Sequence, residues 1–531
     1  MLVAALLFLI GAASAFIMQT GLGELALRVP RLWVAVLVAA QGAVAVLIVL
    51  LATRPRLAAP PIRGVVAVAF VASVVIAFGA AAFWPNSGDE YGYVYVARTL
   101  LAGRTYNPEP PGGDLFVFAW AAARDGKMAV QYAPGWPAVL APFLAVGLEA
   151  LANPLLLAGL AAGLYACLGL LSCTPAVASA LTALIVLSPF ALFNGASLFN
   201  HLLSTLSVVG IVWCVLRDEG RPRIGHKAAI GALFSVILCT RTEVFVILAP
   251  LFGIDQLLRR RALALVVPAA IGFLPITLLW LLYTASITGS PFFSTQAWAH
   301  PGELAIAHGS LRELAEKQAW YVVALCCFAG VVPVVLYGVC VVRRLLAGRI
   351  RFFDALPIAA VVFFILYPAT GGHQYGPRYW FFAWPAMALT IGAETRGLAA
   401  IALLRRQIHL PTLAVLHGPL FAGFTICFAV YLRLYVEVRH ARIEVAVPAT
   451  PAVVLLESGH FSLTRLQTQT FVAPTRDLLR NDLDLRRDVL FGLGDGLAHQ
   501  RAACGLGRHV YQQAADGSLS ELDCRALAGS G

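Results

Sequence analysis

The chain has 531 residues, of which 60% are hydrophobic and 12% are charged. Soluble domains carry about 25% charged residues, so this composition excludes an ordinary soluble protein and predicts a polytopic membrane protein. The formal net charge is +11, but the arginines cluster in short loops between apolar runs. That pattern reports membrane orientation and does not indicate a nucleic-acid partner.

The apolar runs predict a chain that crosses the membrane about 13 times. The first run, Met1 to Met18, lacks a basic N-terminal region and favours an uncleaved helix, although Ala12 to Ala15 resembles a signal-peptide cleavage site. The predicted spans lie near 2–18, 33–52, 64–84, 154–171, 176–193, 201–216, 228–240, 244–258, 262–283, 320–342, 353–368, 379–403 and 411–433. Residues 136–152 are predicted to be interfacial or re-entrant, because Pro137, Pro142 and Glu149 interrupt them.

Five basic clusters fix the predicted orientation of these spans. They are Arg54 with Arg56 and Arg63; Arg217 with Arg221, Arg223 and Lys227; Arg259 to Arg261; Arg343 with Arg344, Arg349 and Arg351; and Arg405 with Arg406. If all five are cytoplasmic, the N-terminus is inside and the C-terminal tail is outside. The long polar loops at 85–135, 284–319 and 369–378 then share the outer face with the tail. The sequence therefore predicts a transmembrane domain over 1–434, with a first outer loop at 85–135.

The tail, 435–531, is predicted to be a small mixed α/β domain. Its strand-like stretches are Ile443 to Val447, Val453 to Leu456 and Val489 to Leu493. Cys504 and Cys524 are the only cysteines in this polar region, and they can form a disulfide if the tail is periplasmic. Two unpaired thiols are the alternative. The other eight cysteines lie in or beside apolar runs and are expected to behave as small hydrophobic residues.

Two adjacent carboxylates, Asp89 and Glu90, follow the apolar run from Gly64 to Phe83. They are costly to desolvate and must face water, a cation or a substrate. An acidic loop that stays solvated is the simpler interpretation. Tyr91 to Gly103 has the spacing of an amphipathic helix on the membrane surface, and Arg98 lies on it.

The predicted topology brings further polar residues to the same outer boundary. Carboxylates, arginines and histidines beside aromatic residues are typical of a site for an anionic, sugar-like substrate. The candidate substrate-binding residues are Tyr93, Arg98, Tyr132, His201, Arg241, Glu243, His373, Tyr375 and Arg378, with Asn194, Asn200 and Tyr379 at the same depth. Taken singly, His201 could be an interfacial anchor, Arg241 and Glu243 could only pair with each other, and Arg378 could be a snorkelling arginine.

Several of these residues stand in motifs that resemble a known family. Gly88-Asp89-Glu90-Tyr91, with Ala97-Arg98-Thr99-Leu100 after it, resembles the first outer loop of the C-type glycosyltransferase superfamily. Gln131-Tyr132-Ala133-Pro134-Gly135-Trp136-Pro137, Leu187-Ser188-Pro189-Phe190 with Asn200-His201, and Tyr375-Gly376-Pro377-Arg378-Tyr379 follow in the right order. The nearest resemblance is to bacterial relatives of the protein O-mannosyltransferases and lipid A aminoarabinose transferases. It covers most of residues 64–400.

The resemblance implies a polyprenyl-phosphate sugar donor and inversion at the anomeric carbon. Asp89 matches the family's catalytic acidic residue, and Glu90 is its neighbour. Arg241-Thr242-Glu243 stands where an Arg-Pro pairing is expected, which weakens the role of Arg241, and about two spans precede the loop-bearing helix. The tail resembles no acceptor-recognition domain. A divalent metal between Asp89, Glu90 and phosphate is a further alternative.

Together these observations predict a membrane glycosyltransferase of a bacterial inner membrane with a periplasmic active site. Its acceptor would be a lipid or glycan, and membrane lipids would surround it. A transporter or flippase of a lipid-linked glycan is the alternative, and it should show repeated halves and mid-bilayer carboxylates. A scaffold that presents the tail would leave the outer-face cluster without a role.

Overall fold

The protein is described by a computed structural model and is mainly helical. The described residues are 2–22, 31–53, 57–82, 85, 87–118, 120–300, 311–366, 375–395, 398, 400–403, 406–441, 447–456, 478–494, 496–514 and 518–528. The helices are α1 (Leu2–Leu22), α2 (Arg31–Ala52), α3 (Ile62–Val75), α4 (Gly88–Leu101), α5 (Gly135–Ala145), α6 (Ala152–Leu170), α7 (Pro175–Val186), α8 (Pro189–Ala196), α9 (His201–Gly220), α10 (Ile224–Thr240), α11 (Thr242–Leu258), α12 (Ala262–Thr288), α13 (Thr295–Ala299), α14 (Leu311–Ala329), α15 (Val331–Leu346), α16 (Phe352–Leu366), α17 (Trp384–Thr395), α18 (Leu410–Ala441), α19 (Leu497–Cys504) and α20 (Cys524–Ala528).

The strands are short and form three sheets. They are β1 (Asn107–Pro108), β2 (Ala121–Arg124), β3 (Lys127–Val130), β4 (Ala400–Leu403), β5 (Arg406–His409), β6 (Ala452–Leu456), β7 (Val489–Leu493), β8 (His509–Gln513) and β9 (Leu519–Glu521). The chain divides into two compact units. The first consists of Met1–Phe78, Ala150–Leu278 and Ile306–Val430, and the second of Gly79–Glu149, Leu279–Ala305 and Tyr431–Gly531.

Within the described residues, five helices are long and apolar enough to cross a membrane, or up to seven if each of two bent pairs is one span. The five are Ile62–Ala80, Glu149–Leu170, His201–Gly220, Ala262–Thr288 and Leu410–Leu434. The larger span count predicted from the apolar runs remains a prediction.

The two bent pairs correspond to predicted single spans. The span at 176–193 is α7 and α8, which meet at 60°, and the span at 320–342 is α14 and α15, which meet at 109°. Ser188 caps the second helix of the first pair, and Gly330, with φ +83°, separates the second pair. A capping serine and a glycine in the left-handed region both end one helix and begin another.

The predicted span at 379–403 differs from the structure. Arg378–Ala383 forms a 3-10 helix that leads into α17, and β4 then pairs with β5. Ile401 stands opposite Ile408, and both are buried. The apolar residues at the end of the predicted span therefore belong to a hairpin, which periodicity cannot distinguish from a helix in so short a run.

In the first unit, the helices α1 and α18 cross in close contact. A Cβ atom added at Gly11 would lie 2.1 Å from the carbonyl oxygen of Leu420, and one added at Gly423 would lie 2.0 Å from that of Phe8. Small residues allow two membrane helices to approach in this way. The first apolar run is thus an α-helix packed within the first unit.

Ion pairs join the ends of four helices in the same unit. Arg351 bonds Glu219 at 2.9 Å and Asp255 at 3.2 Å, and Arg344 bonds the fully buried Asp354 at 2.9 Å. Removing one residue of such a pair would leave the charge of the other buried and uncompensated. Arg344 and Arg351 belong to a cluster that predicted the orientation, so part of that basic charge is neutralised within the protein.

The second unit contains the small mixed sheet that was predicted for the tail. Its strand order is β7-β6-β8-β9, with β6 parallel to both neighbours and β8 antiparallel to β9. Strands β6 and β7 coincide with two of the three predicted stretches. The third stretch falls mostly outside the described residues. A disulfide bond joins Cys504 and Cys524.

Candidate functional site

The helix α4, in the second unit, begins at the N-cap residue Ser87. The side chain of Ser87 accepts from the backbone N–H of Glu90, and the Ser87 hydroxyl donates to the Glu90 carboxylate, each at 3.2 Å. This is the Ser-x-x-Glu signature of a helix start, which the sequence carries at Ser87 to Glu90 and which the prediction overlooked. Glu90 is 1% exposed, so its carboxylate is part of the cap.

Asp89 lies beside this cap and is only half-buried. The hydroxyl of Tyr132 donates a hydrogen bond to its Oδ1. The Tyr132 ring packs on Tyr93 with the ring centroids 4.7 Å apart. Of the two adjacent carboxylates, Asp89 is therefore the more accessible, and Tyr132 contacts both Asp89 and Tyr93.

Tyr132 is held in place from both sides. It follows β3, and the preceding Gln131 carbonyl accepts from the hydroxyl of Thr295 at 2.7 Å. The ring lies against the backbone of α4, since a Cβ atom at Gly92 would approach its Cε2 to 2.5 Å. Desolvation and then the charge of Asp89 raise the pKa of Tyr132 well above its usual value. The phenol is therefore a hydrogen-bond donor at every working pH.

Arg98 lies near the C-terminal end of α4 and contacts the tail. Its Nη1 donates to the carbonyl of Leu479 at 2.5 Å, and Arg104 beyond it pairs with Asp484 at 2.7 Å. The Arg104 partner lowers the pKa of the Asp484 carboxyl. A cavity of about 260 Å³ lies between these segments. It is lined by Tyr95, Arg98, Pro108, Glu109, Pro110, Pro111, Phe116, Phe118, Met128, Leu478, Leu479, Asn481, Asp482, Leu483, Asp484, Leu485 and Arg486.

A second cluster of predicted residues lies within the first unit, where α9 begins and α10 meets α11. The Nη1 of Arg241 lies 2.6 Å from the Nδ1 of His201, and its Nε donates to Glu243 at 2.7 Å. The third nitrogen, Nη2, is buried and has no hydrogen-bond partner among the described residues. Arg241 is 3% exposed, so one donor of a buried cation remains open.

Arg378 belongs to the same cluster. Its guanidinium carbon lies 3.9 Å from the ring centroid of Phe199 and 5.7 Å from that of Tyr379. The guanidinium of Arg241 is 5.8 Å from the same Tyr379 ring. Arg378 is 6% exposed, which is not the placement of a snorkelling side chain. The Tyr379 ring thus lies near two buried cations. The sequence analysis placed Tyr379 at this depth, whereas Phe199 was not among its candidates.

The loop that carries Arg378 has a constrained backbone. Tyr375 and Gly376 have φ values of +60° and +91°, and the Tyr375 carbonyl accepts from Asn194 at 3.3 Å. The Tyr375 ring stacks on Phe193. Tyr375 is therefore buried within the unit, while the predicted His373 lies outside the described residues.

The segment that carries Phe199 is held by α6. The side-chain amide of Asn153 donates to the carbonyls of Ser197 and Phe199, at 2.6 and 2.8 Å. A buried polar side chain at the start of an apolar helix was the available sequence signal for this contact.

Among the described residues, no group of three or more His, Cys, Asp or Glu side chains is arranged to hold a metal ion.

The fold is similar to that of solved C-type glycosyltransferase structures. Two solved structures of ArnT from Cupriavidus metallidurans, a lipid A aminoarabinose transferase, are similar to it. The apo structure has a TM-score of 0.55 and 16% identity, over 80% of this chain and 84% of that one. The structure bound to undecaprenyl phosphate has a TM-score of 0.54 and 16% identity, over 83% of this chain and 87% of that one.

This likeness confirms the predicted resemblance at the level of the fold. No protein-family model matches the sequence, and no curated protein matches it.

Proposed function

We propose that the protein is a membrane glycosyltransferase that moves a sugar from a polyprenyl-phosphate donor to a lipid or glycan acceptor. The fold supports this proposal, and a similar structure is bound to undecaprenyl phosphate. The single observation that carries it is the open Nη2 of the buried Arg241. A buried donor that lacks a hydrogen-bond partner is costly, and a phosphate offers the oxygens that a guanidinium binds best.

Arg378 strengthens the case for an anionic ligand in this cluster. Its guanidinium lies with that of Arg241 around the ring of Tyr379. A phosphate that leaves a sugar gains negative charge in the transition state, and fixed cationic donors stabilise that charge. Arg241 and Arg378 are the proposed donors.

Asp89 is the proposed general base. In the reaction, the acceptor oxygen forms a bond to the anomeric carbon while its proton passes to the Asp89 carboxylate. The bond between the anomeric carbon and the phosphate oxygen breaks, and its electron pair leaves with the lipid phosphate. Attack from the side opposite the phosphate would invert the anomeric configuration. A half-buried carboxylate with a fixed hydrogen bond suits proton transfer.

The proposed location is the inner membrane of a bacterium, with Asp89 and the tail on the periplasmic face. The sequence supports this location, since the basic clusters stand apart from the polar loops at 85–135 and 284–319. A divalent metal beside Asp89 and Glu90 remains a prediction of the sequence.

A transfer assay tests the proposal. The purified protein in detergent or nanodiscs is incubated with a panel of polyprenyl-phosphate sugars, and release of the lipid phosphate is measured with and without candidate acceptors. We expect the protein to release lipid phosphate from one of these polyprenyl-phosphate sugars. Movement of intact lipid-linked sugar across a vesicle bilayer, with no cleavage, would favour the flippase alternative.

A further inference from the structure

We propose that Tyr132 positions the catalytic carboxylate of Asp89 and does not bind the sugar. The sequence made Tyr132 a candidate substrate-binding residue, because tyrosines commonly line sugar sites. In the structure its hydroxyl is committed to Oδ1 of Asp89. This inference rests on the proposed function, in which Asp89 is the base.

The hydrogen bond has one direction. The phenol cannot accept from Asp89 while the carboxylate is ionised, so the tyrosine donates and the carboxylate accepts. Desolvation and the neighbouring negative charge hold the proton on the phenol. Oδ1 of Asp89 thereby accepts a hydrogen bond from a fixed donor.

The packing around the ring determines where the Tyr132 hydroxyl lies. One face of the ring meets Tyr93, and another part lies against the backbone at Gly92. The adjacent Gln131 is tied to Thr295. Three elements, α4, β3 and α13, therefore determine where the hydroxyl lies. A shift of the Tyr132 hydroxyl would misplace the Asp89 carboxylate. Such a displacement affects the chemical step more than substrate binding.

Gly92 has a specific part in this arrangement. A methyl group there would lie 2.5 Å from Cε2 and 2.7 Å from Cδ2 of the Tyr132 ring. Glycine disfavours a helix interior, so its presence in the middle of α4 has a cost. The close approach of the Tyr132 ring explains why glycine occupies this position.

The main test is Tyr132→Phe, which keeps the ring and removes the donor. We expect kcat to fall about ten- to a hundredfold, as for the loss of a hydrogen bond to a charged group. The donor KM should change less than about twofold, because ground-state binding is untouched. Tyr106→Phe is the matched control, since Tyr106 contacts Lys127 through its ring face; it should retain the kinetics of the parent. A raised KM with an unchanged kcat for Tyr132→Phe would instead assign Tyr132 to sugar binding.

A second variant reaches the same contact from the other side. Gly92→Ala should displace the ring and lower kcat as Tyr132→Phe does, with little change in KM. In a Tyr132→Ala background the ring is absent, and Gly92→Ala should add little further loss. An equal loss in both backgrounds would show that Gly92 does not act through Tyr132.

The double variant Asp89→Asn with Tyr132→Phe separates this inference from the proposed function. If Tyr132 acts through Asp89, the double variant should be no slower than Asp89→Asn alone. An inactive Asp89→Asn together with a fully active Tyr132→Phe would overturn the positioning role and leave the proposed base intact. A fully active Asp89→Asn would overturn the proposed base and this inference with it.

Discussion

The Nδ1 of His201 lies 2.6 Å from the Nη1 of Arg241. A guanidinium can only donate, so Nδ1 is the acceptor and the neutral imidazole carries its hydrogen on Nε2. Arg241 is tied on its other side to Glu243. The pair thus orients a buried guanidinium whose remaining nitrogen has no hydrogen-bond partner in the described part of the chain.

His201→Asn and His201→Leu test this orientation. Asparagine can offer an acceptor oxygen near the position of Nδ1, whereas leucine leaves a buried donor of Arg241 without a partner. We expect His201→Leu to lower the free energy of unfolding by about 1–3 kcal/mol and to raise the donor KM. His201→Asn should be closer to the parent in both measurements. Equal behaviour of the two variants would show that the histidine acts through its volume alone.

Asp89→Asn should abolish transfer with little loss of folded protein, since it replaces the proposed base by a near isostere. Glu90→Gln should be milder, because glutamine can also complete a capping box. Initial rates of lipid-phosphate release and thermal unfolding are the measurements. Near-normal transfer by Asp89→Asn would contradict the proposed mechanism.

Arg378→Lys should raise the donor KM, with little change in the acceptor KM. Lysine keeps the charge but loses the planar fork that binds phosphate through two bonds and stacks on an aromatic ring. Phe199→Leu is the control, because it removes the stacking partner at 3.9 Å and leaves the guanidinium. A KM rise confined to Arg378→Lys supports phosphate recognition, and equal kinetics for Arg378→Lys and the parent would argue against it.

Cysteine labelling in intact cells tests the predicted orientation. The eight unpaired cysteines are replaced and the Cys504–Cys524 bridge is kept. A cysteine at Ser518 should react with an impermeant reagent applied from outside, and one at Arg260 should react only after the membrane is opened. Both positions are exposed in the structure. Labelling of the Arg260 site in sealed cells would reverse the orientation.

Gly423→Val should destabilise the contact between α1 and α18. The carbonyl oxygen of Phe8 would lie 2.0 Å from the new Cβ atom, and backbone cannot yield as a side chain can, so the helices must separate. We expect a lower midpoint of thermal unfolding. Gly418→Val is the matched control on the same helix, because a Cβ atom there meets nothing within 4 Å. An equal effect at both positions would point to valine's helix propensity and not to the crossing.

The sequence alone determined the features that depend on local composition and pattern. Its apolar runs predicted a helical membrane protein, and the short apolar stretches at Val453 to Leu456 and Val489 to Leu493 predicted strands of the tail sheet. The acidic pair, the proline-rich element after Tyr132 and the Gly-Pro loop before Arg378 pointed to the fold that the structural comparison shows. These signals are short-range, so they can be recognised within one segment of the sequence.

Only the tertiary structure decided which partner each polar residue takes. Asp89 and Tyr132 are separated by 43 positions, and His201 and Arg241 by 40, so no local periodicity links them. The same limit hid the hairpin of β4 and β5, whose apolar residues look like the end of a helix until their pairing is known. A hydrogen bond between distant segments depends on how whole helices pack, and packing is settled by the full set of contacts rather than by any one segment.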